Sequence, residues 1–263
     1  MIRSDTKNLG ELGFDATVAH YLKDGGGKAG ALKYIQDFHS ERIKLPPSQV
    51  LPTGDGINMA EVASWRKVMV RSCHPNDIIG LVDIMPTQEA TPHTLRTEVK
   101  YVRQLVETDR RIPLYHRYDL DEPYDPAKAK ILIQEKVPST QIGSIVENPH
   151  NKGIYRVEEG NKESDFVVVS HCDRDGNKIR SSDLKPVTSD GELKPVVDLY
   201  ENVKEIGLIP PRWTGQVEYA QPYNQRTPFF LQTRLFREKS PKADWMIKDT
   251  YGMGSQSEES ADF

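Results

Sequence analysis

Asp24-Gly25-Gly26-Gly27-Lys28-Ala29-Gly30 places a lysine directly after three glycines. Glycine lets backbone N–H groups approach phosphate oxygens, and the lysine adds charge. The run is not a Walker A loop, because the first glycine is misplaced and Ala29 stands where Ser or Thr would hold magnesium. A flexible loop with a solvated lysine is the commoner use of such a run, so both readings stand. Arg71 follows Val68-Met69-Val70 and precedes the small residues Ser72 and Cys73. From a strand end its guanidinium could enter a cleft and grip phosphate with two parallel bonds; a surface arginine is the alternative. The third group is Gly215-Gln216-Val217-Glu218-Tyr219-Ala220, a polar loop, then Phe229-Phe230-Leu231-Gln232-Thr233-Arg234. On strands, Gln216 and Glu218 share a face, as do Gln232 and Arg234. Paired, they bring together a carboxylate, two amides and a guanidinium, a set suited to magnesium bridging phosphate oxygens. A cross-strand Glu–Arg pair on a solvated face is the commoner arrangement.

The elements that must position these residues follow from periodicity. Ala31, Leu32, Ile35 and Phe38 predict a helix over 29–42, entered from the glycine loop. The prolines of 45–52 require an extended path. Lys67–Ser72 reads as a strand closed by the turn His74-Pro75-Asn76-Asp77. Leu95, Val99, Val102, Leu105 and Val106 predict a helix over 94–108, and 112–116 a weaker strand. The acids and prolines of 119–128 read as a linker. Strands are expected at 130–137, 153–157 and 166–171, the last ending at Asp173-Arg174-Asp175-Gly176. Val196, Val197, Tyr200 and Val203 predict a helix over 193–206, stopped by Gly207 and Pro210-Pro211. Residues 216–220 and 229–233 read as the two strands of a hairpin across a polar loop.

Helices and strands without regular alternation indicate an α+β architecture in two lobes. The division is residues 1–127, with the glycine run and the Arg71 strand; 128–240, the second lobe; and 241–263, a partly disordered tail. The 263 residues allow one large domain or two small ones. The 35 Lys and Arg against 39 Asp and Glu, net charge −4, disfavour a general nucleic-acid binder. No apolar run approaches the roughly 20 residues of a membrane helix, and the polar start lacks a secretory h-region. Two cysteines are too few for a disulfide framework, so a cytoplasmic protein is expected. Cys73-His74 and His171-Cys172 raise zinc, but neighbours on a strand point to opposite faces and the ligand spacing is missing.

The pieces occur in an order that resembles the N-terminal ATP-binding domain of phosphoenolpyruvate synthase and pyruvate phosphate dikinase, an ATP-grasp-type domain. That family opens with Gly-Gly-Lys-Ala/Gly, a helix and Val-Pro-Pro-Gly-Phe; here Gly26-Gly27-Lys28-Ala29 leads to Leu45-Pro46-Pro47-Ser48. Its Val-Arg-Ser-Ser strand corresponds to Val70-Arg71-Ser72-Cys73, followed by Asp77. Val-Gln-Glu-Met-Val then Asn-Pro corresponds to Ile133-Gln134-Glu135-Lys136-Val137 and Asn148-Pro149. Asp-Ile-Glu-Trp and Leu-Gln-x-Arg correspond to Gln216-Val217-Glu218-Tyr219 and Leu231-Gln232-Thr233-Arg234. The resemblance implies a two-lobed ATP-grasp fold binding ATP and Mg2+. It implies Lys28 and Arg71 on the ATP phosphates, Glu135, Lys136 and Val137 bordering adenine, Glu218 and Gln232 at magnesium, and Arg234 on the terminal phosphate.

Departures shape the expected function. Gln216 stands where the family has an acid, which removes a charge and weakens magnesium binding. Cys73 replaces a serine, and the stretch after Asp77 lacks Ser-Phe-Ala-Gly. The family's phosphohistidine motif and pyruvate-binding barrel have no counterpart, since His116, His150 and His171 lie in no such context. The expectation is an ATP-dependent phosphotransferase or nucleotide-binding subunit that serves a small acceptor or a separate phosphohistidine or pyruvate-binding protein. The alternative is a non-catalytic interaction or regulatory module.

Overall fold

A computed structural model of the chain describes residues 13–51, 56–78, 86–109, 125–161, 167–180, 184–211, 213–223 and 225–237. Asp15 caps α1 (Ala16–Gly25), its carboxylate accepting the Thr17 N–H at 2.8 Å. Val18, Ala19 and Leu22 form the buried side of this helix. The chain does not then open into the expected glycine loop. Gly26–Gly30 is a buried π-helical turn that runs directly into α2 (Ala31–Phe38). The cause is backbone meeting backbone. A Cβ on Gly27 would lie 2.0 Å from the Thr233 carbonyl oxygen, and one on Gly26 2.3 Å from that of His74. Gly26 also has φ 61°, a conformation that favours glycine.

β1 (Ser48–Leu51), β2 (Val68–Cys73), β3 (Thr87–Ala90) and β4 (Lys130–Glu135) form an antiparallel sheet in the order β1-β4-β2-β3. Alternation divides its faces. Val68, Val70, Ile131 and Ile133 pack with Leu95, Val99 and Val102 of α4 (Leu95–Thr108), and with Val62 of the short α3 (Met59–Val62). The opposite face carries Met69, Arg71 and Cys73, in register with Gln134, Leu132 and Lys130. β4 ends at Glu135, two residues before the expected strand end.

The second sheet is also antiparallel, in the order β7-β6-β5-β8-β9, built from β5 (Ser139–Glu147), β6 (Tyr155–Asn161), β7 (Val167–Cys172), β8 (Trp213–Pro222) and β9 (Phe229–Arg237). One face supplies Ile145, Val157, Val217, Tyr219 and Leu235 to the main core. Leu22, Leu32 and Ile35 from α1 and α2, and Val197, Tyr200 and Val203 from α5 (Lys194–Glu205), complete it. Burying each large apolar side chain contributes roughly 1.5–3 kcal/mol. Gly207, at φ 83°, follows α5 at the expected stop.

β4 lies beyond residue 127 yet completes the first sheet, while α1 and α2 cover the second. Each layer thus draws on both sides of that position. The expected strand at 112–116, most of the 119–128 linker and the tail from 241 lie outside the described residues. Among the described residues no helix is long and apolar enough to cross a membrane.

Candidate functional site

The π-helical joint holds Lys28 against the end of β2. Lys28 is buried, with Nζ 3.8 Å from Asp77 Oδ2, and the same carboxylate oxygen accepts the His74 N–H at 3.0 Å. An ion pair between Lys130 and Asp24 further ties β4 to α1. Cys73 lies within this charged group. Burial pushes its thiol up to about 11, opposed by the nearby positive charge of Lys28 and, more weakly, of Arg71.

Arg71 crosses from the first sheet to the second, its Nη2 donating to Gln232 Oε1 on β9 at 2.9 Å. Both side chains are buried, Arg71 7% and Gln232 1% exposed. Arg71 Nε and Gln232 Nε2 are buried donors with no hydrogen-bond partner among the described residues. The expected hairpin forms, and it pairs Glu218 with Gln232 and Gln216 with Arg234 in register. Arg234 Nη2 lies 3.0 Å from Glu218 Oε1. Lys28, Arg71, Glu218, Gln232 and Arg234 therefore gather around the junction of the π turn, β2 and β9.

The same face of the second sheet continues as a polar network that the sequence does not reveal. Gln216 Nε2 donates to Ser144 Oγ at 2.9 Å, Ser144 Oγ donates to Glu158 Oε2 at 3.3 Å, and Glu158 Oε1 pairs with Arg156 Nη1 at 2.7 Å. His171 is in register with Arg156. Burial, helped by Arg156, holds the His171 imidazole below its ordinary value. These residues come from four strands paired across long sequence separations. Only the alternation of polar residues on β6 and β8 could have hinted at them.

Glu135, Lys136 and Val137 are half-buried; Glu135 ends β4, and Lys136 and Val137 follow it where the chain passes from one sheet to the other. The Glu135 N–H donates to the Pro47 carbonyl at 2.8 Å and the Lys136 N–H to that of Lys67 at 2.9 Å. Glu89 pairs with Lys136 and with Lys67. The two Cys-His pairs are far from forming one centre, since Cys73 ends β2 and Cys172 ends β7 in the other sheet. No group of three or more His, Cys, Asp or Glu side chains could hold a metal among the described residues. A cation here would depend on Glu218, the Gln232 amide oxygen and a ligand's own oxygens.

No known family model matches the chain, and no curated protein matches it in sequence. Solved structures do match. D-alanine–D-alanine ligase from Bacillus anthracis, solved with ATP, aligns with a TM-score of 0.51 at 10% identity, over 95% of this chain and 69% of that one. D-alanyl-alanine synthetase A from Vibrio cholerae O1 biovar eltor gives 0.51 at 9% identity, over 96% and 68%. The D-alanine–D-alanine ligase from Coxiella burnetii gives 0.46 at 11% identity, over 88% and 55%. The chain thus spans 55% of the Coxiella enzyme and little more than two thirds of the other two. Likeness at such identity is a likeness of fold, and the two antiparallel sheets joined at residues 136–138 have the ATP-grasp fold.

Proposed function

We propose that this chain binds Mg-ATP in the cleft between its two sheets and transfers a phosphoryl group to an acceptor. The observation that carries this reading is the pair of buried, unpartnered donors Arg71 Nε and Gln232 Nε2 beside Lys28 and Arg234. A buried donor left unsatisfied costs about 1–3 kcal/mol, so a fold retains two at one point where a ligand supplies acceptors. Phosphate oxygens match them, and the surrounding cations neutralise phosphate charge. Adenine then lies along Glu135, Lys136 and Val137, at the passage between the sheets.

The residues fit a magnesium ion, because the Glu218 carboxylate and the Gln232 amide oxygen are hard oxygen donors and Mg2+ takes its other ligands from phosphate and water. The ion would neutralise charge on the phosphate oxygens. Lys28 and Arg71 orient the triphosphate, and Arg234, moving from Glu218 to the terminal phosphate, stabilises charge as the transfer proceeds. Gln216 is engaged with Ser144 and adds no charge at the metal, which makes magnesium binding weak.

Two acceptor classes follow from different observations. The ordered motifs support phosphoenolpyruvate synthase-like transfer to a separate phosphohistidine or pyruvate-binding protein. The fold likeness to amino-acid ligases supports activation of a carboxylate as an acyl phosphate, attacked next by an amine. Product analysis separates them: carboxylate activation by the γ-phosphoryl leaves ADP, and transfer from the β position leaves AMP. Lys28→Ala and Arg234→Ala variants should each weaken binding or turnover. Tight ATP binding with neither product, across carboxylates, amines and candidate carriers, would instead support the non-catalytic module. Absence of ATP binding at millimolar nucleotide with magnesium would refute the proposal.

A further inference from the structure

The reverse face of the second sheet holds a pocket that the ATP reading does not use. Along β5, β6 and β8 this face is apolar where α5 packs on it, at Ile145, Val157 and Val217. In the same alternation it turns polar past the start of the helix, at Gln141, Glu159 and Gln221. These three side chains line a pocket of about 410 Å3, a size typical of small-molecule sites. Leu193, Pro195 and Val196, where α5 begins, give it an apolar wall. Glu158, next along β6, points to the other face of the sheet, toward Ser144 and Gln216, so the pocket and the phosphate end are separated by the sheet itself.

Charge inside the pocket is incompletely matched. The buried Tyr219 crosses over Gly143, where a Cβ would meet its hydroxyl at 2.7 Å, and donates to Glu159 Oε1 at 2.9 Å. That is the one hydrogen bond to the Glu159 carboxylate among the described residues, and Oε2 is left without a donor. Burial outweighs the Tyr219 bond and raises the Glu159 carboxyl above its ordinary value, a cost that a cation beside it reverses. The other two acids of the pocket are already engaged: Glu192 pairs with Lys178 at 2.6 Å, and Asp190 Oδ1 accepts the Glu192 N–H at 3.2 Å. Arg226, from the loop between β8 and β9, also lines the pocket; it is exposed and pairs with no carboxylate among the described residues.

We propose that this pocket binds a small amino carboxylate, with its ammonium on Glu159 Oε2, its hydrocarbon chain against Leu193, Pro195 and Val196, and its carboxylate on Arg226. Glu159 and Arg226 carry opposite charges in one pocket without pairing with each other. A ligand bearing both charges satisfies the two together, whereas a diamine meets Arg226 with like charge and a dicarboxylate meets Glu159 with like charge. The half-buried Glu159 gives the stronger contact, because a charge-assisted bond gains most away from bulk water. Arg226, on the exposed side, gives the weaker one.

The test is titration calorimetry on the full chain without nucleotide, using β-alanine, γ-aminobutyrate and ε-aminocaproate as probes of increasing length, with putrescine and succinate as controls. Saturable binding of at least one amino carboxylate, tighter than either control, is expected. Glu159→Gln removes the charge but keeps an amide oxygen for the Tyr219 hydroxyl, so folding should be retained, and a thermal melt checks this. It is expected to weaken binding about ten- to a hundredfold, the worth of one charged hydrogen bond. Arg226→Ala, at an exposed position, should weaken it about two- to fivefold. No saturable binding of any of the three probes overturns the proposal. So does binding that both variants leave unchanged, or putrescine or succinate binding as tightly as the best amino carboxylate. Because no nucleotide is present, failure here leaves the ATP reading standing, and failure of ATP binding leaves this pocket untouched.

Discussion

Gly27 is the position where a single methyl group should disturb both fold and site. Its Cβ would stand 2.0 Å from the Thr233 carbonyl oxygen, 3.2 Å from the Thr233 carbonyl carbon and 3.3 Å from Ile78 Cα. All three are backbone atoms, so no side-chain rotation relieves the contact. The π turn and β9 must move apart by more than an ångström to reach ordinary contact distance. Overpacking in a well-packed core costs about 1–3 kcal/mol, and a purely backbone clash belongs at the upper end. The same movement draws Lys28 away from Arg71 and Gln232. Gly27→Ala is therefore expected to lower unfolding free energy by about 2–3 kcal/mol in a urea titration. ATP affinity should fall about tenfold or more in the still-folded protein, because misplacing groups by this much disrupts charge-assisted contacts. Gly160→Ala is the control: its nearest neighbour is the Ile142 carbonyl oxygen at an ordinary 3.7 Å, so a change within about 0.5 kcal/mol is expected. A wild-type urea midpoint and ATP affinity for Gly27→Ala would refute the packed joint and restore the flexible loop.

Further outcomes follow from burial and charge. Burial pushes the thiols of Cys73 and Cys172 up to about 11 and about 12, so neither should react with a thiol reagent at pH about 8 until the protein is unfolded; rapid labelling of native protein would contradict their placement. His74 and His171 are both held below the ordinary histidine value by burial. The unfolded chain then binds protons that the native chain refuses, so their contribution to stability falls as pH drops through about 6.5. His171→Gln should lose stability more slowly than wild type between about pH 7 and 5, and parallel denaturation profiles would contradict this. Gln216→Glu adds a carboxylate opposite Arg234 and should lower several-fold the magnesium needed for ATP binding. No change, or a higher requirement, would place the metal away from Glu218.

The hairpin of β8 and β9 was legible because its polar candidate residues alternate with apolar ones, so one pattern fixes both strand and face. The α4 and α5 helices were legible from their apolar stripes. The π turn was not, since glycine spacing cannot distinguish a mobile loop from backbone packed on β9. β5 escaped because Ser139-Thr140-Gln141-Ile142-Gly143-Ser144 has no regular alternation of apolar residues and its register is irregular at Ser139. β3 is a short, mostly polar edge strand with no periodic signal. At the site, Lys28, Arg71, Glu218, Gln232 and Arg234 could be nominated by residue type. The partners that give them meaning could not, because the Arg71–Gln232 bond and the Ser144–Glu158–Arg156 chain depend on pairings between distant segments.

The most direct measurement is a crystal structure with magnesium and a non-hydrolysable ATP analogue. The account predicts the triphosphate between the two sheets, with phosphate oxygens at hydrogen-bond distance from Arg71 Nε and Gln232 Nε2, and the cation on Glu218. A triphosphate bound elsewhere, or one in the cleft that leaves both donors unpartnered, would contradict it.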